Sequence, residues 1–330
     1  MFGPPFVIGH KQTPSSCTDN HLIAIDRRLT PMSIQNETTF LSKRCTIFPS
    51  FPIKHDTIFG CLWGILPSSI RLATYKLLVS VCSCLWSAPP LSDQRVQRLP
   101  FGLYAKYGGR IKEEEVIATM FVAANTSIPV PRILDVLDDR GNLFVIMTRL
   151  PGIQAKVAMK DLDDQGWRQF EQDIQNWWYQ LRSLVPPTNV VGSLLGTASL
   201  QRRMSMDIPI GPFDNIAAFH HYLMTLCPED QGSPPYDEFR RLAPIKSFNK
   251  PHRLCFTHGD LVPHNLLMEN GRLSGLVDFE SSGWFPEYWD FTGTYGWAQG
   301  NWKEMLLRIF PQYQDEVEVE KYLWEAVNPF

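Results

Sequence analysis

The stretch Thr257-His258-Gly259-Asp260-Leu261-Val262-Pro263-His264-Asn265-Leu266-Leu267-Met268-Glu269-Asn270-Gly271-Arg272-Leu273-Ser274-Gly275-Leu276-Val277-Asp278-Phe279-Glu280 decides the fold. It sets an acid at Asp260, an amide five residues later at Asn265 and a second acid at Asp278. Leu266-Leu267-Met268 and Leu273-Ser274-Gly275-Leu276-Val277 are short strand-like runs around the turn signal Glu269-Asn270-Gly271-Arg272, so they predict a β-hairpin. Asn265 enters its first strand and Asp278 leaves its second. Both therefore fall at one end of the hairpin, with Asp260 in the loop just before it. Three oxygen-bearing groups gathered in this way suit phosphoryl transfer to a hydroxyl or amine. Asp260 would position the acceptor and take its proton, while Asn265 and Asp278 would hold Mg²⁺ against nucleotide phosphates. Taken singly, the three have ordinary roles as an Asx-turn residue, a cap at the start of a strand and a salt-bridged loop acid. Taken together with the features below, they favour the chemistry.

His258-Gly259-Asp260-Leu261 with Asn265, followed by Asp278-Phe279-Glu280, resembles the catalytic-loop and metal-binding motifs of the aminoglycoside phosphotransferase and choline kinase group, relatives of the protein kinases. The likeness is nearest to the fungal members and spans roughly residues 65 to 300 of the chain. It implies an α+β, two-lobed protein-kinase-like fold, with a small β-rich N-lobe and a larger, mostly helical C-lobe. It also implies ATP and Mg²⁺ as cofactors, a small-molecule acceptor, and His258 as the brace of the catalytic loop. A zinc role for His258 and His264 is disfavoured, because no cysteine or histidine pair accompanies them.

Leu99 to Tyr107 reads as a strand ended by Gly108-Gly109, and Glu115, nine residues after Lys106, stands in a predicted helix running to Ala124. The resemblance gives Lys106 the α- and β-phosphates and Glu115 the ion pair that holds it, with Glu113 and Glu114 as competing partners. A solvated strand-end lysine and an exposed helix acid are the plainer reading of the same residues. Ile133 to Leu137 and Leu143 to Met147 predict two strands around Asp138-Asp139-Arg140-Gly141-Asn142. The resemblance then lays Met147, Thr148, Arg149 and Leu150 along the adenine through backbone groups, before Pro151-Gly152 turns the chain into the C-lobe.

Residues 1–55 show no sustained period of 2 or 3.6 and are expected to be irregular or partly disordered. The N-lobe with a preceding helix is expected over 56–150 and the C-lobe over 151–330. In that preceding helix Ile70, Ala73, Leu77, Leu78 and Val81 form one stripe after Pro67-Ser68-Ser69. A helix from Asp163 to Leu184 gathers Phe170, Ile174, Trp177, Trp178, Leu181 and Leu184 on a broad apolar face, where the tryptophan pair reads as core rather than as a ligand platform. Residues 187–212 read as a loop insertion and Phe213 to Leu226 as a helix, with His220 and His221 as packing or surface residues. Ser282 to Phe291 predicts a helix with Pro286 in its first turn. The resembled family has a similar segment near its acceptor, so Glu287 or Asp290 would meet a cationic acceptor walled by Trp284, Tyr288 and Trp289. Helix-start electrostatics plus packing is the competing reading. Residues 301–327 predict two terminal helices.

The chain has 330 residues, 44% hydrophobic and 20% charged, with a net charge of −3. That is an ordinary globular composition without the basic stripe that nucleic-acid binding needs. Seven scattered cysteines without Cys-x-x-Cys spacing suggest reduced thiols and a cytoplasmic protein. The most apolar region, Ile58 to Leu66 and then Leu77 to Leu85, is interrupted by Pro67, Arg71 and Lys76, so no membrane span is expected. Oligomeric state and acceptor identity are not written in the sequence. No Gly-x-Gly-x-x-Gly precedes the Lys106 strand, where Pro100-Phe101-Gly102 stands instead, and no strand pair is evident upstream of residue 95. No Ala-Pro-Glu segment follows Asp278, which disfavours a protein kinase. A catalytically silent kinase-like protein that binds a nucleotide or a partner is the alternative. The joint presence of Lys106, Asp260, Asn265 and Asp278 argues against it.

Overall fold

Two hairpins closed by the same turn chemistry carry the site. Arg140 and Gly141 (φ 56° and 86°) and Asn270 and Gly271 (φ 51° and 76°) each place two successive residues at positive φ, the type I′ geometry whose twist matches that of paired strands. The computed structural model describes residues 58–86, 95–109, 111–204, 208–227 and 233–327. The expectation for residues 1–55 lies outside them.

The N-lobe contains helices α1 (Ile58–Ile65) and α2 (Ser68–Leu85), strands β1 (Arg95–Leu99) and β2 (Leu103–Tyr107), helix α3 (Glu113–Asn125), and strands β3 (Ile133–Asp139) and β4 (Asn142–Thr148). The strands form one antiparallel sheet in the order β1-β2-β4-β3. Tyr75 and Cys82 of α2 pack on one face against Leu99, Ala105, Leu137, Phe144 and Ile146. On the other face Val116 of α3 meets Ile111, Ile133 and Val145. Among the described residues upstream of 95 the chain thus supplies a covering helix rather than strands.

The helix is where the sequence puts it, but it packs on a different face. Of the predicted stripe only Leu78 joins the core, while Ile70, Leu77 and Val81 are 50%, 65% and 52% exposed. Polar anchors set the rotation. Arg71 reaches the Asp135 carboxylate at 2.5 Å and Lys76 reaches Asp139 at 2.6 Å, turning the basic side of α2 toward β3.

The C-lobe continues with β5 (Ile153–Gln154), α4 (Ala155–Ala158), α5 (Asp164–Ser183), β6 (Gly192–Ser193), α6 (Ile216–Thr225), α7 (Pro234–Ala243), β7 (Leu254–Thr257), β8 (Leu266–Glu269), β9 (Arg272–Leu276), β10 (Gly283–Pro286), α8 (Trp289–Trp297), α9 (Gly300–Ile309) and α10 (Gln314–Val327). Asp163 caps α5 by accepting from the Gly166 amide at 2.7 Å, and Asn215 caps α6 through the Ala218 amide at 2.9 Å. Trp177 and Trp178 lie in the core beside Phe170, Ile174 and Leu181, as packing residues. His220 is buried and stacks on Phe248 with ring centroids 4.1 Å apart, while His221 is exposed. The predicted hairpin is β8-β9, joined by β5 in one small sheet, and β6-β10-β7 form another.

One element is corrected. Gly283–Pro286 is a strand buried along its whole length, and the helix starts at Trp289. A Cβ on Gly283 would stand 2.1 Å from the Gly192 carbonyl oxygen, so glycine is what lets β10 run between β6 and β7. No helix among the described residues is long and apolar enough to cross a membrane.

Candidate active site

The loop that bears Asp260 is held from beneath. The Asp290 carboxylate accepts from the backbone amides of His258 at 3.0 Å and Gly259 at 2.7 Å. Gly259 sits at φ 80°, and a Cβ there would meet the Ser281 carbonyl oxygen at 2.1 Å, so this close crossing requires glycine. His258 is fully buried; its Nε2 is 3.0 Å from the Val277 carbonyl and its Nδ1 accepts from the Asp260 amide at 3.3 Å. Those contacts assign the ring proton to Nε2. One imidazole thereby ties the Asp260 loop to the strand end that precedes Asp278.

Asn265 closes the arrangement. Its Nδ2 donates to the Asp260 carbonyl at 2.9 Å and to the Asp260 carboxylate at 3.0 Å, while its own carbonyl accepts from the Val277 amide at 3.0 Å. Burial raises the Asp260 carboxyl above the ordinary aspartate value; Asp278 adds to this, and the Asn265 hydrogen bond, with His258 and His264 whenever they are protonated, pulls against it. His264 is exposed, with Nε2 3.9 Å from that carboxylate.

From the N-lobe, the buried Lys106 places Nζ 2.5 Å from Glu115 Oε1 and 3.0 Å from Asp278 Oδ1. Glu115 is therefore the partner among the three adjacent acids, and Glu114 instead accepts from Thr197 Oγ1 at 3.4 Å. One ammonium serves two carboxylates, and the division is uneven. Burial pushes Glu115 up to about 7 against the pull of Lys106, and its second oxygen has no hydrogen-bond partner among the described residues. Burial also acts to raise Asp278, but Lys106, with help from Arg202, outweighs it and holds this carboxyl below its ordinary value. Burial opposes the Lys106 charge, and Glu115 and Asp278 more than offset it. Asp278 takes φ 71°, an αL conformation that aspartate tolerates better than most residues, and unlike Phe101, Arg140 and Asn270 it does so outside a hairpin turn.

At the lobe junction Met147 and Thr148 end β4, followed by Arg149 and Leu150. The Thr148 amide donates to Arg132 at 3.0 Å and the Arg149 amide to Gly102 at 2.7 Å. Two backbone donors expected to face a base are thus already engaged. Gly102 belongs to the β1–β2 loop, Pro100-Phe101-Gly102, at the junction end of the sheet. Lys106 lies four residues further along β2, about 13 Å at ~3.3 Å per residue, so this loop is no phosphate clamp.

The three residues expected to meet an acceptor do other work. Trp284 is 3% exposed and packs on Phe121 and Phe256, with ring centroids 6.3 and 5.5 Å away. Glu287 pairs with Arg253 at 3.0 Å. Asp290 spends both carboxylate oxygens on the amides of the Asp260 loop. Packing and loop support engage all three: Trp284 lies in a buried strand, Glu287 in the turn after it, and Asp290 in the buried first turn of α8.

The sequence reading passed over Gln201-Arg202-Arg203. The buried Gln201 donates to the Ser281 carbonyl at 2.7 Å and accepts from the Trp289 indole at 2.8 Å. Arg202 donates through Nε to the Glu280 carboxylate, two residues beyond Asp278. Arg203 is buried, bonds Thr292 at 2.9 Å and Glu320 at 3.2 Å, and lies over the Trp289 ring. The one available signal was a pair of adjacent arginines in a loop, residues 187–212, whose other charged residue is Asp207.

Asp278 and Asn265 offer only oxygen to a cation: with Nδ2 committed to Asp260, the Asn265 Oδ1 is the atom left for it. Among the described residues no group of three or more His, Cys, Asp or Glu is placed to hold a metal unaided. That fits Mg²⁺, which takes one or two protein oxygens and completes its shell with phosphates and water.

Residues 216–330 match the model of the APH phosphotransferase enzyme family. No curated protein matches the chain. Among solved structures the fold is similar to aminoglycoside phosphotransferase APH(4)-Ia, with a TM-score of 0.54 at 13% identity over 78% of this chain and 90% of that one. It is also similar to ADP-bound APH(2'')-Ib, with a TM-score of 0.52 at 15% identity over 76% and 88% of the two chains. APH(2")-IIa in its ternary complex with streptomycin and ATP gives 0.51 at 16% identity over 80% and 88%. The two-lobed α+β architecture is thus that of the kinase-like aminoglycoside phosphotransferases, as the catalytic segment implied.

Proposed function

We propose that this protein is an ATP- and Mg²⁺-dependent kinase that moves the γ-phosphoryl group to a hydroxyl or amine of a small molecule. One arrangement carries the reading: Asp260 held by Asn265, beside an Asp278 carboxylate shared with the Lys106–Glu115 pair. Similar folds described with ADP, and with ATP beside streptomycin, support a nucleotide in this cleft.

In the proposed cycle Met147, Thr148, Arg149 and Leu150 edge the base, using the backbone groups that Arg132 and Gly102 leave free. Lys106 meets the α- and β-phosphates, with Glu115 orienting its ammonium. Bound Mg²⁺ would neutralise and orient the phosphates, and Asp278 and Asn265 are the residues that would hold it. Asp260 takes the proton of the attacking group, and its proton affinity, raised by burial, makes it a stronger base than a free aspartate. His258 keeps the Asp260 loop in register with the strand that ends before Asp278. A small acceptor is favoured over a peptide, because β10 begins five residues after Asp278 and leaves no platform between. The free cysteines 82, 84, 227 and 255 support a cytoplasmic setting.

Calorimetry with ATP and Mg²⁺ tests the reading. Binding should require the metal and be lost in Asp278→Ala, whereas Asp260→Ala should bind nucleotide and lose turnover. Folded wild-type protein that leaves millimolar ATP unbound would sink the proposal. Binding without turnover on any hydroxyl, amine or water acceptor would reduce it to a silent nucleotide-binding protein.

A further inference from the structure

Gln201 and Arg203 are pinned on either side of Arg202, the first to Ser281 and Trp289, the second to Thr292 and Glu320. The backbone that presents Arg202 is therefore fixed to both halves of the site: Ser281 follows the Asp278 loop, and Trp289 precedes the Asp290 that carries the Asp260 loop. The Arg202 side chain is 30% exposed. It uses Nε for Glu280, and its two Nη groups have no partner among the described residues. Its charge is felt where the chemistry lies, since Glu280 first, and then Asp278 and Asp260, strengthen the guanidinium's hold on its proton. The other cation of the site is fully engaged, because the Lys106 ammonium is divided between Glu115 and Asp278.

We propose that Arg202 is a second phosphoryl-binding cation, whose Nη groups donate to the oxygens of the transferred group from the C-lobe side while Glu280 orients the guanidinium. The proposal rests on the phosphotransferase reading. In the transfer the acceptor oxygen or nitrogen forms a bond to the γ-phosphorus and the bond from that phosphorus to the bridging oxygen breaks. ADP leaves with the electron pair, and the acceptor proton passes to Asp260. Charge gathers on the three equatorial oxygens of a loose transition state, where a planar fork with two free donors outperforms a point charge. Arg202 exchanges no proton in this step; it holds charge in place.

The test needs no acceptor. Mg²⁺·ADP with aluminium fluoride imitates the group in flight, so its affinity relative to Mg²⁺·ADP alone, measured on the full-length chain, reports stabilisation of that state. Arg202→Gln should lose about 10- to 100-fold of the fluoride-dependent tightening, as expected for charge-assisted hydrogen bonds, while affinity for Mg²⁺·ADP alone changes far less. Glu280→Gln should keep most of the tightening. Arg202→Lys, which retains the charge, should fall between, and it carries the test if the glutamine variant does not fold.

Wild-type tightening that survives Arg202→Gln would overturn the proposal, as would its absence from wild type. An equal loss of affinity for ADP with and without fluoride would also overturn it, since that is how a purely structural Arg202–Glu280 clamp behaves. Wild-type protein that fails to bind Mg²⁺·ADP at all would refute the phosphotransferase reading itself, a result distinct from each of these.

Discussion

Asp260 shows what one side chain's surroundings do to its chemistry. Burial lifts its carboxyl above the ordinary value, so the proton-accepting form is lost at a higher pH than for a free aspartate. The sign follows directly. As pH falls through this raised pKa the carboxylate is protonated and cannot take the acceptor's proton, so kcat/KM should fall on an acid limb centred above about 3.9. A pH profile of phosphoryl transfer, once an acceptor is found, checks this, and a limb at or below the ordinary aspartate value would deny Asp260 the role. Asp260, Asn265 and Asp278 were legible in the sequence because their grouping depends on one local hairpin. Arg202 was not, because its partner Glu280 is 78 residues away and only the tertiary fold brings them together. The support that Asp290 gives the Asp260 loop was not legible for the same reason, since the amides it holds lie 31 and 32 residues upstream.

At the scale of elements, what could be read was presence, and what could not was orientation. Turn chemistry at Arg140-Gly141 and Asn270-Gly271, and the caps at Asp163 and Asn215, fix where strands and helices begin and end. The rotation of α2 is not written in its apolar period, because this helix carries apolar residues on two sides. Long-range ion pairs to Asp135 and Asp139 choose the side that packs. Strand β10 failed in a different way: buried along its length, it lacks the alternation that marks a half-exposed strand, so Pro286 read as a helix start. The packing of α2 on the sheet makes a direct contrast between Leu99 and Leu77. Leu99 is 2% exposed beneath α2, so Leu99→Ala should cost about 2–5 kcal/mol through lost burial and a residual cavity. Leu77 is 65% exposed, so Leu77→Ala should stay within about 0.5 kcal/mol of wild type. Urea unfolding of the two variants decides the matter, and a large cost at Leu77 with none at Leu99 would mean that α2 packs by its other face.

For the whole molecule the question is whether two lobes make two folding units. Helix α3 argues for one. Its Glu115 and Val116 serve the N-lobe, one pairing with Lys106 and the other packing on the sheet, while Ala118 and Val122 belong to the C-lobe core and Phe121 lies against Phe256 and Trp284. The Leu276 amide, at the end of β9, donates to the Pro129 carbonyl at 2.9 Å just beyond α3, and Lys106 reaches Asp278 across 172 residues of sequence. Separating the lobes would uncover Ala118, Phe121 and Val122 of α3 and leave charges in the cleft uncompensated, so cooperative loss of both is the lower-energy route. Buried thiols report each side separately, Cys82 on the sheet-facing side of α2 and Cys227 and Cys255 in the C-lobe. Pulsed alkylation across a urea series, read by peptide mapping, should give one midpoint for all three, and Val122→Ala should move the three together. If Cys82 were labelled at distinctly lower urea than the other two, the N-lobe would open by itself and α3 would not be the joint.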